Sequence, residues 1–166
     1  VFRVDRERRL AGLRSVRLPP AGAPRRIEEI PAGLALSPDD KTLYVAGNLS
    51  NRLIEIDVAT DAVRRTFDVG VAPFDVVLAG AKAYVSNWGG RRPKEKDRTA
   101  PSSETAVLVD ERGIASSGTV GKVDLASRKL VAEVETGLHP ADLELSRAGD
   151  TLLVANANSD TVSRID

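Results

Sequence analysis

Cysteine and methionine are absent from the 166 residues, histidine and tryptophan occur once each, and aromatic side chains make up only 4%. Without cysteine neither a disulfide nor a thiolate metal site can form, which leaves the redox compartment open. A single histidine, His139, excludes a two-His metal site and a bis-His haem site, and a Ser-His-Asp triad is not expected. The 24 basic side chains are matched by 24 acidic ones, so no excess of charge invites a nucleic acid or an anionic membrane. No apolar run approaches the roughly 18 residues of a membrane span. A signal-peptide pattern and a convincing helical periodicity are missing too. The expectation is a protein without nucleic acid, membrane insertion, metal or cofactor, and with no catalytic residue in these positions.

What the chain does contain is a repeat. Residues 31–57 (PAGLALSPDDKTLYVAGNLSNRLIEID) and 140–166 (PADLELSRAGDTLLVANANSDTVSRID) align without a gap, each running 26 positions from Pro to Asp. A third copy starts at Pro73 and reaches its Asp at Asp124 after 51 positions, and only the tail of a fourth survives, VFRVD at 1–5. Asp57 to Pro73 and Asp124 to Pro140 both span 16 positions, giving a period of 42 residues. A period near 40–45 suits four short strands and their turns. The second unit carries 25 extra residues and the first carries ten.

Within the first whole unit the strands expected are 33–37, 42–47, 52–57 and 62–69, here named A to D. Ser37-Pro38-Asp39-Asp40 turns A into B, since Pro presets φ and Asp accepts a backbone hydrogen bond. The other units follow the same register, with an earlier strand at 13–18. Segment 19–30, rich in Pro, is a D-to-A loop; segment 88–118 is a B-to-C surface loop in which 106–109 is apolar enough for a short strand. In an up-and-down sheet both insertions lie on one face. The fold class is all-β: a β-propeller segment of about three four-stranded antiparallel blades, from a ring expected to hold seven. Its parts are the end of one blade plus a loop (1–30), a blade (31–70), a blade with the 88–118 insertion (71–137) and three strands of a blade (138–166). The chain reads as a piece of a longer protein, its raw flanks expected to be covered by the remaining blades or, in isolation, by self-association.

The B strands Tyr44-Val45-Ala46-Gly47, Tyr84-Val85-Ser86-Asn87 and Leu153-Val154-Ala155-Asn156 resemble the tetrapeptide of the YVTN-repeat β-propeller family, a WD40-like architecture. Ser37-Pro38-Asp39-Asp40 and the Gly-x-x-Pro turns at 70–73 and 137–140 resemble it too. Segments 86–91 (SNWGGR), 102–120 and 155–162 are similar to the amino-terminal propeller of bacterial extracytoplasmic proteins fused to an alkaline-phosphatase-like phosphoesterase domain. This resemblance implies a non-catalytic binding platform, a periplasmic or secreted location and a phosphoesterase domain as partner in the same parent chain. The alternative is a propeller enzyme or cofactor holder, lactonase-like or quinoprotein-like, with its site on other blades.

The residues with something to offer a ligand or partner gather on the loop-bearing face: Asn87, Trp88, Arg91, Arg92, His139, Asn156 and Asn158. The asparagines also suit turns with left-handed φ, Trp88 could pin the insertion or cap the axis, and the basic run 91–98 reads as a solvated loop or a contact for an anionic partner. Asp5, Asp57, Asp124 and Asp166 recur as strand-ending turn acceptors rather than a carboxylate ring. The charged positions Arg3, Glu55, Lys122 and Arg164, where an apolar side chain would suit blade stacking, are expected to make a wet edge, with pairing between blades as the other option.

Overall fold

The hydrogen-bonding demands of a chain with period-two alternation are met by sheet ladders and the turns between them; in the computed structural model no helix is found among the described residues, which are 2–4, 10–102 and 105–166. Asp5, the 6–9 turn and the side chain of Arg3 lie outside them. An N-terminal hairpin, β1 (Phe2–Val4) and β2 (Leu10–Leu13), precedes the first blade: β3 (Pro31–Leu36), β4 (Thr42–Gly47), β5 (Arg52–Asp57) and β6 (Val63–Asp68). The second blade begins with β7 (Val71–Ala79) and β8 (Lys82–Gly90), is interrupted by a hairpin of β9 (Thr99–Ser102) and β10 (Thr105–Leu108), and resumes with β11 (Thr119–Asp124) and β12 (Lys129–Glu135). Last come β13 (Pro140–Leu145), β14 (Leu152–Asn156) and β15 (Thr161–Ile165).

Strand orders are β3-β4-β5-β6, β7-β8-β11-β12 and β13-β14-β15, with antiparallel neighbours throughout. The first strands of the three sheets touch, β3 on β7 and β7 on β13, which places the common axis on their side and β6 and β12 at the rim. Tyr44, Leu53, Phe67 and Val69 of the first blade pack on Val76, Ala83, Val85 and Val123 of the second. Val120 of the second meets Leu143, Leu152 and Val154 of the third. The architecture is a partial β-propeller. Two strand expectations shift. Residues 13–18 form no ladder beyond Leu13, although Val16 and Leu18 pack on Val45, Ile54 and Ile56. The start of the 88–118 segment, Trp88-Gly89-Gly90, prolongs strand β8 instead of looping.

Turn chemistry repeats with the module. Asp57 accepts the amides of Ala59 and Thr60, both at 2.9 Å, and Asp124 those of Ala126 and Ser127 at 3.0 and 2.7 Å. The Thr60 amide, with Arg64, holds the Asp57 carboxyl below the ordinary range, and Lys82, with the Ser127 amide, does the same for Asp124. Ser37 and Ser146 each accept an amide across the A–B hairpin, from Thr42 at 2.9 Å and Thr151 at 3.1 Å. Left-handed φ recurs at matching places: Asp40 and Gly149, Asn51 and Asp160, Asp61 and Arg128, Ala72 and His139. Asn87, Asn156 and Asn158 are not among them, so the left-handed role expected of these three falls to other residues.

A further correction concerns the charged edge. Glu55 is 2% exposed, and its carboxylate pairs at 2.7 Å with Arg65, its cross-strand neighbour in its own blade. It therefore joins neither a wet edge nor a pair between blades. Lys122 lies 5.7 Å from the Tyr84 ring, and Arg164 pairs with Asp166 at 2.8 Å. The Glu55 hydrogen bond pushes the Arg65 guanidinium up, and burial together with Glu55 pushes up the Tyr44 hydroxyl. Glu55→Ala, which strands Arg65, is expected to cost roughly 2–3 kcal/mol, less than a fully enclosed pair because Arg65 is partly solvated. The double change Glu55→Leu with Arg65→Leu should lie within about 1 kcal/mol of wild type. Urea unfolding of the set checks this; a double change as damaging as the single one contradicts it.

Candidate functional site at the axial mouth

Residues two positions after each module proline, Gly33, Asp75 and Asp142, stand on the converging first strands and face a cleft of about 530 Å³. Phe74, Trp88 and Asn48 also line it, the Asn48 side-chain amide donating to the Pro73 carbonyl at 3.1 Å. Trp88 is stacked on Phe74 with ring centroids 4.1 Å apart and planes within 9°, and on its other side on His139 at 5.2 Å and 11°. His139 takes φ 50, the left-handed place that Ala72 takes one module earlier at φ 51. The backbone conformation thus belongs to the module, while the imidazole is specific to this turn. Both ring faces of Trp88 are occupied, and its buried Nε1 has no hydrogen-bond partner among the described residues.

Asp75 is half-buried and couples two blades. Its Oδ2 accepts the Leu143 amide at 2.9 Å, its own amide donates to Ser86 Oγ at 2.9 Å, and that hydroxyl donates to the Ala141 carbonyl at 3.1 Å. A Cβ on Gly33 would stand 2.5 Å from Asp75 Oδ1, so only glycine fits beside this carboxylate in the first blade. Burial pushes the Asp75 carboxyl up, the Val76 and Leu143 amides oppose this, and the nearby charge of Asp142 adds to it.

The other residues on the expected face divide. Asn87 is 0% exposed within β8 and donates to Thr119 Oγ1 at 3.1 Å; Asn156 is 2% exposed and donates to Thr161 Oγ1 at 3.1 Å and Ser163 Oγ at 2.9 Å. A Cβ on Gly70 would sit 2.5 Å from Asn87 Cγ, and one on Gly137 2.7 Å from Asn156 Cγ. The bare turns therefore make room for the two buried amides. Asn158 is exposed, its amide donating to the Leu138 carbonyl at 3.1 Å. Arg91 is clamped by both oxygens of Asp97 at 2.6 and 3.0 Å; this pair and the Lys94 amide lower the Asp97 carboxyl to about 2. Arg92 donates to the Val69 and Asn51 carbonyls at 2.8 and 2.9 Å, fastening the insertion to the first blade.

Composition did not single out Phe74, Asp75, Glu29 or Asn51. Glu29 Oε1 accepts the Leu49 amide at 2.9 Å and the Ser50 amide at 3.3 Å, while Asn51 accepts the Ala72 amide at 2.8 Å and donates to Thr105 at 3.2 Å. Both insertions therefore meet on the 48–51 turn. The one signal available in the sequence was the alignment of Gly33, Asp75 and Asp142 beside a lone tryptophan. Among the described residues no group of three His, Cys, Asp or Glu side chains could hold a metal, and no helix is long and apolar enough to cross a membrane. A rigid aromatic wall beside two carboxylates can bind hydrogen-bond donors; the described residues of this cleft include no evident nucleophile.

No protein-family profile and no curated protein matches the chain. Among solved structures, Kuenenia stuttgartiensis hydrazine synthase is similar at 22% identity and a TM-score of 0.62 over 92% of this chain. A candidate 6-phosphogluconolactonase from Bacteroides uniformis is similar at 14% identity and a TM-score of 0.51 over 98%. This chain spans 35% and 59% of the lengths of those two proteins. Likeness at such identity carries the fold, a β-propeller.

Asp75→Asn keeps an oxygen for the Leu143 amide and removes a half-buried charge. A carboxyl whose folded value is raised contributes stability below its unfolded value near 3.8, and that contribution is lost as pH rises through the folded value. The variant should accordingly be at least as stable as wild type at neutral pH, and its advantage should vanish below about pH 4. Thermal unfolding across pH checks this; a variant weaker at pH 7 than in acid contradicts it.

Proposed function

We propose that the chain is a non-catalytic platform within a larger propeller protein, presenting its loop-bearing face to a neighbouring domain or ligand. The observation that carries this reading is the stack of Phe74, Trp88 and His139 at the axial mouth, beside the cleft of Asp75 and Asp142. It is supported by the employment of most other polar residues of that face inside the fold: Asn87 and Asn156 in blade interiors, Arg91 and Arg92 in holding the insertion. The YVTN-like tetrapeptides and the SNWGGR segment make an extracytoplasmic parent with a phosphoesterase domain the preferred setting. In that setting the hydrolytic chemistry belongs to the other domain, and further blades cover the outer faces of the first and third blades, where Leu34, Leu36, Leu153 and Val162 are exposed.

Amide hydrogen exchange of the parent protein, compared with residues 1–166 alone, tests this. Added protection around Trp88, His139 and 110–114 is expected, with no lactone or phosphoester hydrolysis by the segment. Unchanged exchange over that face, or turnover by the segment that is lost on Asp75→Asn, would overturn the platform reading.

A further inference from the structure

A cleft of about 650 Å³ opens at the rim between the first and second blades, away from the axial mouth. One wall is strand β6 and the turn after it, 66–70; the other is the start of β12, and the roof is the beginning of the insertion. The roof exists because Arg92 reaches across to the first blade, so the cleft is a product of the insertion and not of the module. Five cationic residues line it in a chain of zero net charge: Arg91, Arg92, Lys94, Arg128 and Lys129.

Its two acids are already engaged. Asp68 accepts Arg92 at 3.2 Å, and Glu133 accepts the Thr119 hydroxyl at 2.8 Å. The side chains of Lys94, Arg128 and Lys129 are exposed and form no ion pair or hydrogen bond among the described residues. Only Lys94 has a carboxylate in electrostatic reach, Asp97, which Arg91 already holds. Arg128 is set at a fixed angle by its left-handed φ of 65 and by its amide, which donates to the Asp124 carbonyl at 2.8 Å. Three unmatched cations on two separate elements, backed by two guanidiniums locked in place, form a preorganised field for negative charge.

We propose that this inter-blade cleft is a binding site for a small multivalent oxyanion, a ligand with two or more phosphate, sulfate or carboxylate groups spaced to meet Lys94 on one side and Arg128 and Lys129 on the other. The site is separate from the axial mouth and stands whether or not the platform reading does. Arg–oxyanion contacts are directional and Lys contacts less so, which favours one terminal group on Arg128 and a second on the two lysines.

Tripolyphosphate titrated into residues 1–166 by calorimetry at low ionic strength is the test. Saturable binding is expected, falling steeply with salt. The combined change Lys94→Ala, Arg128→Ala and Lys129→Ala should weaken it roughly tenfold to a hundredfold. A control losing the same charge elsewhere, Lys41→Ala, Arg112→Ala and Arg147→Ala, should keep wild-type affinity. All six side chains are exposed, and circular dichroism establishes that both variants fold. No saturable binding by wild type up to about 1 mM ligand, or equal weakening in the two triple variants, would overturn the proposal.

Discussion

A four-stranded sheet has two faces, and in this protein each sheet hides one of them only by lying against the next. The packing of Tyr44, Phe67 and Val69 on Val76, Ala83 and Val123 is the contact on which everything else rests. It fixes the angle between blades, and with it the convergence of β3, β7 and β13 at the axis. Asp75 and Ser86 then stitch the second blade to the third through the Leu143 amide and the Ala141 carbonyl. Apolar area supplies the drive, and the polar contacts choose the register.

The module also explains why polar residues that recur are poor witnesses to function. Asp57 and Asp124 close turns, Ser37 and Ser146 close hairpins, and Asn87 and Asn156 fill blades beneath Gly70 and Gly137. The first blade reverses that last arrangement: Glu28 stands where the turn glycine would be, Gly47 stands where the asparagine would be, and Glu29 Oε2 lies 2.8 Å from the place a Gly47 Cβ would take. What does not recur is more informative. The imidazole of His139, the indole of Trp88 and the cations of 91–94 have no counterpart in the neighbouring modules.

Local features were legible from residue order alone. The period of 42, the strand-ending Asp turns and the Ser37 hairpin follow from spacing and from side chains that bond within a few residues. Features that depend on which strand lies beside which were not. The partner of Glu55 is Arg65 because β6 pairs with β5 in a register shifted by a bulge, which spacing alone does not reveal. Trp88 meets His139 because the end of strand β8 lies beside the turn that opens the third blade, and Arg92 reaches Val69 because the insertion leaves β8 toward the first blade. Asn87 and Asn156 looked like surface turn formers since asparagine favours turns; the glycines packed against them decide otherwise.

The central claim is that stability is passed from sheet to sheet through buried faces, so the blade with neighbours on both sides should be the most secure. Amide hydrogen exchange resolved by strand measures this directly. The account predicts the slowest exchange in β7, β8 and β11, intermediate exchange in β4 and β5, and the fastest in β15, which has a ladder partner on one side only. Exchange in β15 as slow as in β8 would show that each sheet holds itself together without its neighbours, and would contradict the account.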